Sequence, residues 1–175
     1  MELHRVDKAL PVFTVDIGDP FDLNIRIPEY RKQNSKSSSS NVNAWHSPYN
    51  TLGFDDVKKY LTGVAEEAVC KFYNNIIVNL DCRELWVMEY ERNDSADLHS
   101  HYPASWSGVY YLKCDDDSAP LIIERQLEVK PQEGLFILFP SVMMHYVPPT
   151  KGFRRALAVN FFMKCDVENL GESIR

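Results

Sequence analysis

Between Glu84 and Met163 the chain falls into short runs rich in apolar, β-branched and aromatic residues: Glu84 to Glu91, Trp106 to Lys113, Leu121 to Glu124, Leu135 to Phe139 and Arg155 to Met163. Runs this short, bounded by turn residues, predict strands rather than helices. Ahead of them, from Phe54 to about Tyr73, apolar residues recur at Val57, Leu61, Val64, Ala68 and Phe72, the three-and-four spacing that lays one stripe of a helix against a core. Asp55 and Asp56 stand in its first turn, where the helix dipole favours negative charge. A long helix followed by many short strands predicts a mainly β chain, an antiparallel double-sheet barrel with helices behind it. The 175 residues are expected to form one domain, 1–175, long enough to bury a single sizeable core.

The N-terminal part is less regular. Ala9 to Val15 has the composition of a short strand, which Pro11 confines to a sheet edge. Asp19 to Ile27 reads as a helix that ends before Pro28. Lys32 to Asn43, with four serines from Ser37 to Ser40, is too polar to bury apolar area and is expected to be a mobile loop. Cys70, Cys82, Cys114 and Cys165 form no Cys-x-x-Cys pair and read as free thiols. A net charge of −6 argues against a broad phosphate-binding surface, so nucleic acid is not an expected partner. No apolar run approaches the roughly 20 residues of a membrane span, and Met1 to Asp7 lacks the apolar stretch of a signal peptide, so a cytoplasmic protein without a membrane partner is expected. Ser141 has no Gly-x-Ser-x-Gly elbow around it, no glycine-rich phosphate loop occurs, and no pair of carboxylates suits glycoside hydrolysis.

Of five histidines, three fall in two places: His99-Ser100-His101 ahead of the Trp106 run, and His145 after the apolar Leu135-to-Phe139 run. Alternate residues of a strand point the same way about 6.5 Å apart, so a His-x-His pair can aim two imidazoles at one ion, and antiparallel pairing can bring a third to it. Such a triad leaves open positions, the arrangement of non-haem iron oxygenases. The plainer alternative makes His99 and His101 solvated loop residues and His145 a hydrogen-bonded turn residue.

The pattern His99-x-His101, Ser107-Gly-Val-Tyr-Tyr-Leu112, Leu138-Phe-Pro-Ser141, His145-x-Val-x-Pro149 and Arg154, nine residues after His145, resembles the 2-oxoglutarate/Fe(II)-dependent oxygenases, including their prolyl-hydroxylase-like members. The resemblance runs from about Trp86 to Phe162. It implies a double-stranded β-helix, the jelly-roll or cupin-like barrel, with a core of about 84–164 in a single oxygenase-like domain. It implies Fe(II) held by His99, His101 and His145, with 2-oxoglutarate and O2 as cosubstrates. The substrate, a small molecule or a protein side chain, and the oligomeric state are left open. The usual carboxylate of the family's triad is replaced here by His101, which is either a third neutral ligand or the mark of an altered site.

A 2-oxoglutarate molecule also needs a cation for its distal carboxylate, and the planar fork of arginine suits that best. On the last strand Arg154, Ala156, Ala158 and Asn160 share one face and Arg155, Leu157, Val159 and Phe161 the other. Arg154 is therefore expected inside, and Arg155 on the surface. By resemblance Tyr111 helps bind the same carboxylate and Tyr90 lines the pocket. Ala156 stands where the family often has a hydroxyl. Asn160 resembles a late Asn without an evident role, His46 reads as structural and outside the barrel, and Trp86 and Trp106 read as packing. Two competitors stay open: a cupin-like three-His metalloprotein, acting as a dioxygenase without cosubstrate or as a small-molecule-binding module, and a non-catalytic barrel.

Overall fold

A computed structural model describes residues 10–33, 42–50 and 53–164. It is mainly β with two helices: β1 (Phe13–Asp16), α1 (Leu23–Gln33), β2 (Val42–Asn43), β3 (Trp45–His46), α2 (Asp55–Phe72), β4 (Leu80–Tyr90), β5 (Ser95–His99), β6 (Trp106–Cys114), β7 (Leu121–Ile123), β8 (Leu127–Val129), β9 (Leu135–Pro140), β10 (His145–Val147) and β11 (Arg154–Met163). The strands form two antiparallel sheets, one of six in the order β1-β9-β6-β11-β4-β3 and one of five in the order β2-β5-β10-β7-β8.

The centre of the six-stranded sheet is covered on both faces, which is why its strands read as nearly continuous apolar runs. Leu85 and Val87 of β4, Tyr110 and Leu112 of β6, and Leu157, Val159 and Phe161 of β11 pack outward against Leu23 and Ile27 of α1 and Val57, Leu61, Ala65 and Val69 of α2. The alternate residues Trp86, Met88, Tyr90, Val109, Tyr111, Ala156 and Ala158 face the five-stranded sheet, meeting Ala96, Leu121, Ile123 and Val147. One face of the sheet thus builds the helix-backed core and the other builds the space between the sheets.

Several expectations need correction. The apolar stripe of α2 runs through Val57, Leu61, Ala65 and Val69; Val64 and Ala68 only flank it, and Phe72 is 48% exposed. The first helix does not end before Pro28 but contains it. The Asp19 carboxylate accepts the Leu23 and Asn24 backbone N–H groups at its start. Burial of Leu23 and Ile27, together with the bond from Arg31 to buried Glu89, carries it past the proline. Arg155 is not a surface charge: its side chain is 11% exposed and donates to Glu89 Oε1 at 2.6 Å and to Asn24 Oδ1 at 3.1 Å. The first strand starts at Phe13, beyond Pro11, and lies at a sheet edge. The loop expected over Lys32 to Asn43 falls largely outside the described residues; its ends belong to α1 and β2.

Gly108 is set by contact. A Cβ built there would lie 2.6 Å from a Phe136 ring carbon and 3.1 Å from Val159 Cγ2, both deep in the helix-backed core. Gly108→Ala is therefore expected to destabilise the fold by about 1–3 kcal/mol, the usual cost of overpacking, which a denaturant melt would register as a lower midpoint at unchanged slope.

Candidate metal centre

The edge-to-edge pairing of β5 with β10 puts His99 directly opposite His145. Strand β5 ends at His99, so His101 does not sit on a strand as its alternation suggested. It lies in the following turn, where its N–H donates to the Ser141 carbonyl at 2.9 Å. The rings still converge: centroid separations are 4.4 Å for His99–His145, 4.9 Å for His101–His145 and 5.0 Å for His99–His101. One donor atom from each lies within 4.8 Å of the others. Since an imidazole nitrogen binds a divalent ion at about 2.1 Å, slight closure of the rings would place all three on one ion.

Local hydrogen bonds orient two of these rings. His99 Nδ1 sits 2.6 Å from the Asp97 carbonyl and His145 Nδ1 3.0 Å from the Met143 carbonyl. A carbonyl can only accept, so each Nδ1 carries its proton and each Nε2 keeps a free lone pair. Burial lowers the pKa of His101 to about 3, and His145 and His99 add to the shift. Burial likewise brings His145 to about 4, with His99 adding to it. Both rings are neutral at physiological pH, the form that ligates.

Arg154 is 1% exposed and reaches into the same cavity. Its Nη1 donates to the Ala119 carbonyl at 3.1 Å and its Nη2 to the Tyr111 hydroxyl at 3.4 Å. Its Cζ lies 4.8 Å from the Tyr90 ring centroid and 4.9 Å from that of Tyr111. Nε has no hydrogen-bond partner, and no carboxylate among the described residues pairs with the guanidinium. A buried charge left this way is costly, and an anion beside it would relieve that cost. Tyr90 lines the cavity, donates to Met88 Sδ at 3.4 Å and has its phenol pushed up to about 12 by burial. Tyr111 is fully buried and touches Arg154 rather than the cavity wall.

The cavity, about 330 Å³, also takes in residues that the sequence reading set aside. His46 belongs to β3, which extends the six-stranded sheet by pairing with β4. Its ring stacks on Trp86 at 5.7 Å and 17°, Tyr49 meets Trp86 edge-on at 5.1 Å, and Trp86 lies 5.5 Å from the His101 ring. Trp86 and His46 are thus part of the cavity wall rather than remote packing. A strand of two residues leaves no periodicity that could have revealed this.

Asn160 acquires a place too. Its Oδ1 accepts from Ser107 Oγ at 2.8 Å and its Nδ2 donates to Glu84 Oε2 at 2.6 Å. Ser107 Oγ and Ser141 Oγ are 2.7 Å apart, and Ser141 is the residue whose carbonyl holds the His101 N–H. This buried chain ties the turn of His101 to the centre of the six-stranded sheet.

Neither a family model nor a curated protein matches the sequence. Solved structures do. A Pseudomonas putida prolyl-4-hydroxylase superposes with a TM-score of 0.65 at 16% identity, over 89% of this chain and 94% of that one. A viral collagen prolyl hydroxylase from Paramecium Bursaria Chlorella virus-1, solved with 2-oxoglutarate, gives 0.62 at 13% identity over 86% and 94%. The non-haem α-ketoglutarate-dependent epimerase SnoN of nogalamycin biosynthesis gives 0.62 at 11% identity over 87% and 78%. What these identities establish is a shared fold, the one in which those hydroxylases and that epimerase are built.

Proposed function

We propose that this protein is an Fe(II)- and 2-oxoglutarate-dependent oxygenase, with His99, His101 and His145 as the metal ligands and Arg154 as the anchor of the distal cosubstrate carboxylate. The observation that carries the reading is the presence, in one cavity, of three converging imidazoles and a buried arginine with no anionic partner among the described residues. The donor set fits iron: neutral nitrogens on one side leave the remaining positions for a chelating keto acid and oxygen. Three neutral ligands, a divalent ion and a doubly negative cosubstrate sum to zero charge, which a dry cavity tolerates. When bound, iron with 2-oxoglutarate supplies oxygen activation coupled to release of succinate and CO2, and the expected outcome is oxidation of a substrate C–H bond.

The chain's own residues orient and exclude. Asp97 and Met143 carbonyls set the tautomers of His99 and His145. Tyr111 and the Ala119 carbonyl hold the Arg154 fork at the cavity. Ala156 brings no hydroxyl beside it, so Tyr90 is the remaining phenol near the guanidinium. Leu121, Phe139 and Val147 keep the interior wall apolar. The jelly-roll winding of residues 84–164 as one oxygenase domain belongs to the same proposal. The replacement of the expected carboxylate by His101 favours one competitor, a cupin-like three-His metalloprotein that works without cosubstrate.

Anaerobic titration of the purified protein with Fe(II) and then 2-oxoglutarate should give the visible charge-transfer band of a chelated keto acid; iron uptake without that band would move the three-His alternative ahead. His145→Ala and His101→Ala should each lose tight iron binding, whereas His101→Asp should keep it, as metal analysis after desalting would reveal.

Arg154→Ala should weaken 2-oxoglutarate binding at least tenfold, for a lost charge-assisted contact on the order of 2–5 kcal/mol, while iron affinity holds. Arg155→Ala should do the reverse, sparing cosubstrate affinity but costing about 2 kcal/mol of stability by leaving Glu89 with Arg31 alone. Calorimetry and denaturant melts on the two variants separate these outcomes.

Asn160→Ala should loosen the turn of His101 through Ser107 and Ser141, lowering iron affinity several-fold, and Asn160→Asp, which keeps an acceptor for Ser107 but sets a second carboxylate against Glu84, should lose at least as much. Wild-type iron affinity in both variants would remove the network from the site.

A further inference from the structure

Behind the wall of the cavity, away from Arg154, lies a carboxylate, linked through Asn160 to the lining residue Ser107. Strand β4 alternates, so Glu84 shares the cavity-facing side with Trp86, Met88 and Tyr90. Glu84 Oε2 accepts from Asn160, but Oε1 has no protein partner and no lysine or arginine pairs with the carboxylate among the described residues. Lys58, whose charge acts on Cys82 together with that of Glu84, is held by Asn50 Oδ1 at 2.8 Å instead. The Asn50 N–H donates to the Leu85 carbonyl at 2.8 Å, which sets Tyr49 beside this part of β4, and the Glu84 charge, after burial, raises the Tyr49 phenol. Arg154 and Asn160 are six positions apart on β11, about 20 Å of strand, so the arginine and this carboxylate do not neutralise each other.

The wall beside Glu84 is aromatic. Tyr49, 56% exposed, stands edge-on to both His46 and Trp86, and all three line the cavity next to His101. Aromatic rings lining a cavity, with a carboxylate that lacks a cation behind them, are the elements that recognise an alkylammonium group: the rings by cation–π attraction, the carboxylate by its charge at longer range. We infer that the substrate presents a positively charged amine or methylated ammonium to Tyr49, Trp86 and His46, within the field of Glu84, which places an adjacent carbon near the three imidazoles. The substrate role rests on the oxygenase reading above; the cation site itself does not, and it can be measured without turnover.

The probe is N-acetyl trimethyl-lysine methylamide, compared with the neutral isostere in which carbon replaces the ammonium nitrogen. Calorimetry on the Zn(II)- and 2-oxoglutarate-loaded protein, and on the metal-free protein, should give at least tenfold tighter binding of the cation. Tyr49→Ala and Glu84→Gln should each weaken it at least fivefold. Tyr49 is exposed and Gln still accepts from Asn160, so both variants should melt as the parent does. Equal binding of the two compounds, or indifference of a folded Glu84→Gln variant, overturns the inference and leaves the oxygenase reading standing if 2-oxoglutarate still binds. Cation preference in a protein that takes up no 2-oxoglutarate supports the cation site and removes the oxygenase reading instead.

Discussion

A strand flanked on both edges and covered on both faces cannot slip by one residue without sending every side chain to the wrong side. Strand β11 is in that position, paired along its length with β4 and β6 and packed between the helices and the second sheet. The large residues Leu157, Val159 and Phe161 must meet the helices, so Arg154 and Asn160 are driven to the opposite face together with the small Ala156 and Ala158. The guanidinium's burial is therefore enforced by apolar packing elsewhere on its own strand. Its neighbour Arg155, one residue on, is delivered with equal certainty to Glu89 and α1.

What this arrangement made legible in the sequence, and what it hid, follow from the same alternation. The inward direction of Arg154 could be read from side-chain size along β11, and the approach of His99 to His145 from apolar runs that had to pair. Strands β5 and β10, which carry those histidines, could not be read: Ser95–His99 is polar and His145–Val147 is three residues long. Their pairing is decided by the sheet they join, a tertiary effect that local propensity does not carry. Pro28 misled for a comparable reason, because burial of Leu23 and Ile27 outweighs one missing helical hydrogen bond. Arg155 looked like a surface charge since nothing in the sequence near it shows that Glu89, 66 positions away, is buried and waiting for a cation. His46 and Tyr49 reach the cavity through a two-residue strand.

The cavity is assembled from groups that differ in how they are held. Two of the histidines are oriented by carbonyls close in sequence, so their geometry comes from the chain around them. His101 depends on a longer route, from its own N–H to Ser141, through Ser107 and Asn160, to Glu84 on β4. The histidine that lies beyond its strand is thus the one fastened by the most distant contacts. Glu84 ends this route on the strand that also carries Trp86, so the His101 turn and the aromatic wall are both fastened to β4.

The all-imidazole character of the triad has a consequence for ion selection. A carboxylate ligand lends negative charge and hardness that favour some ions over others; three neutral nitrogens do not, and with imidazole alone the affinities of divalent metals follow their intrinsic order, with copper above nickel and nickel above iron. Such a pocket discriminates poorly by chemistry. An ion held there would then be set by the free concentrations of metals where the protein works, so the same chain loaded in different surroundings would carry different ions.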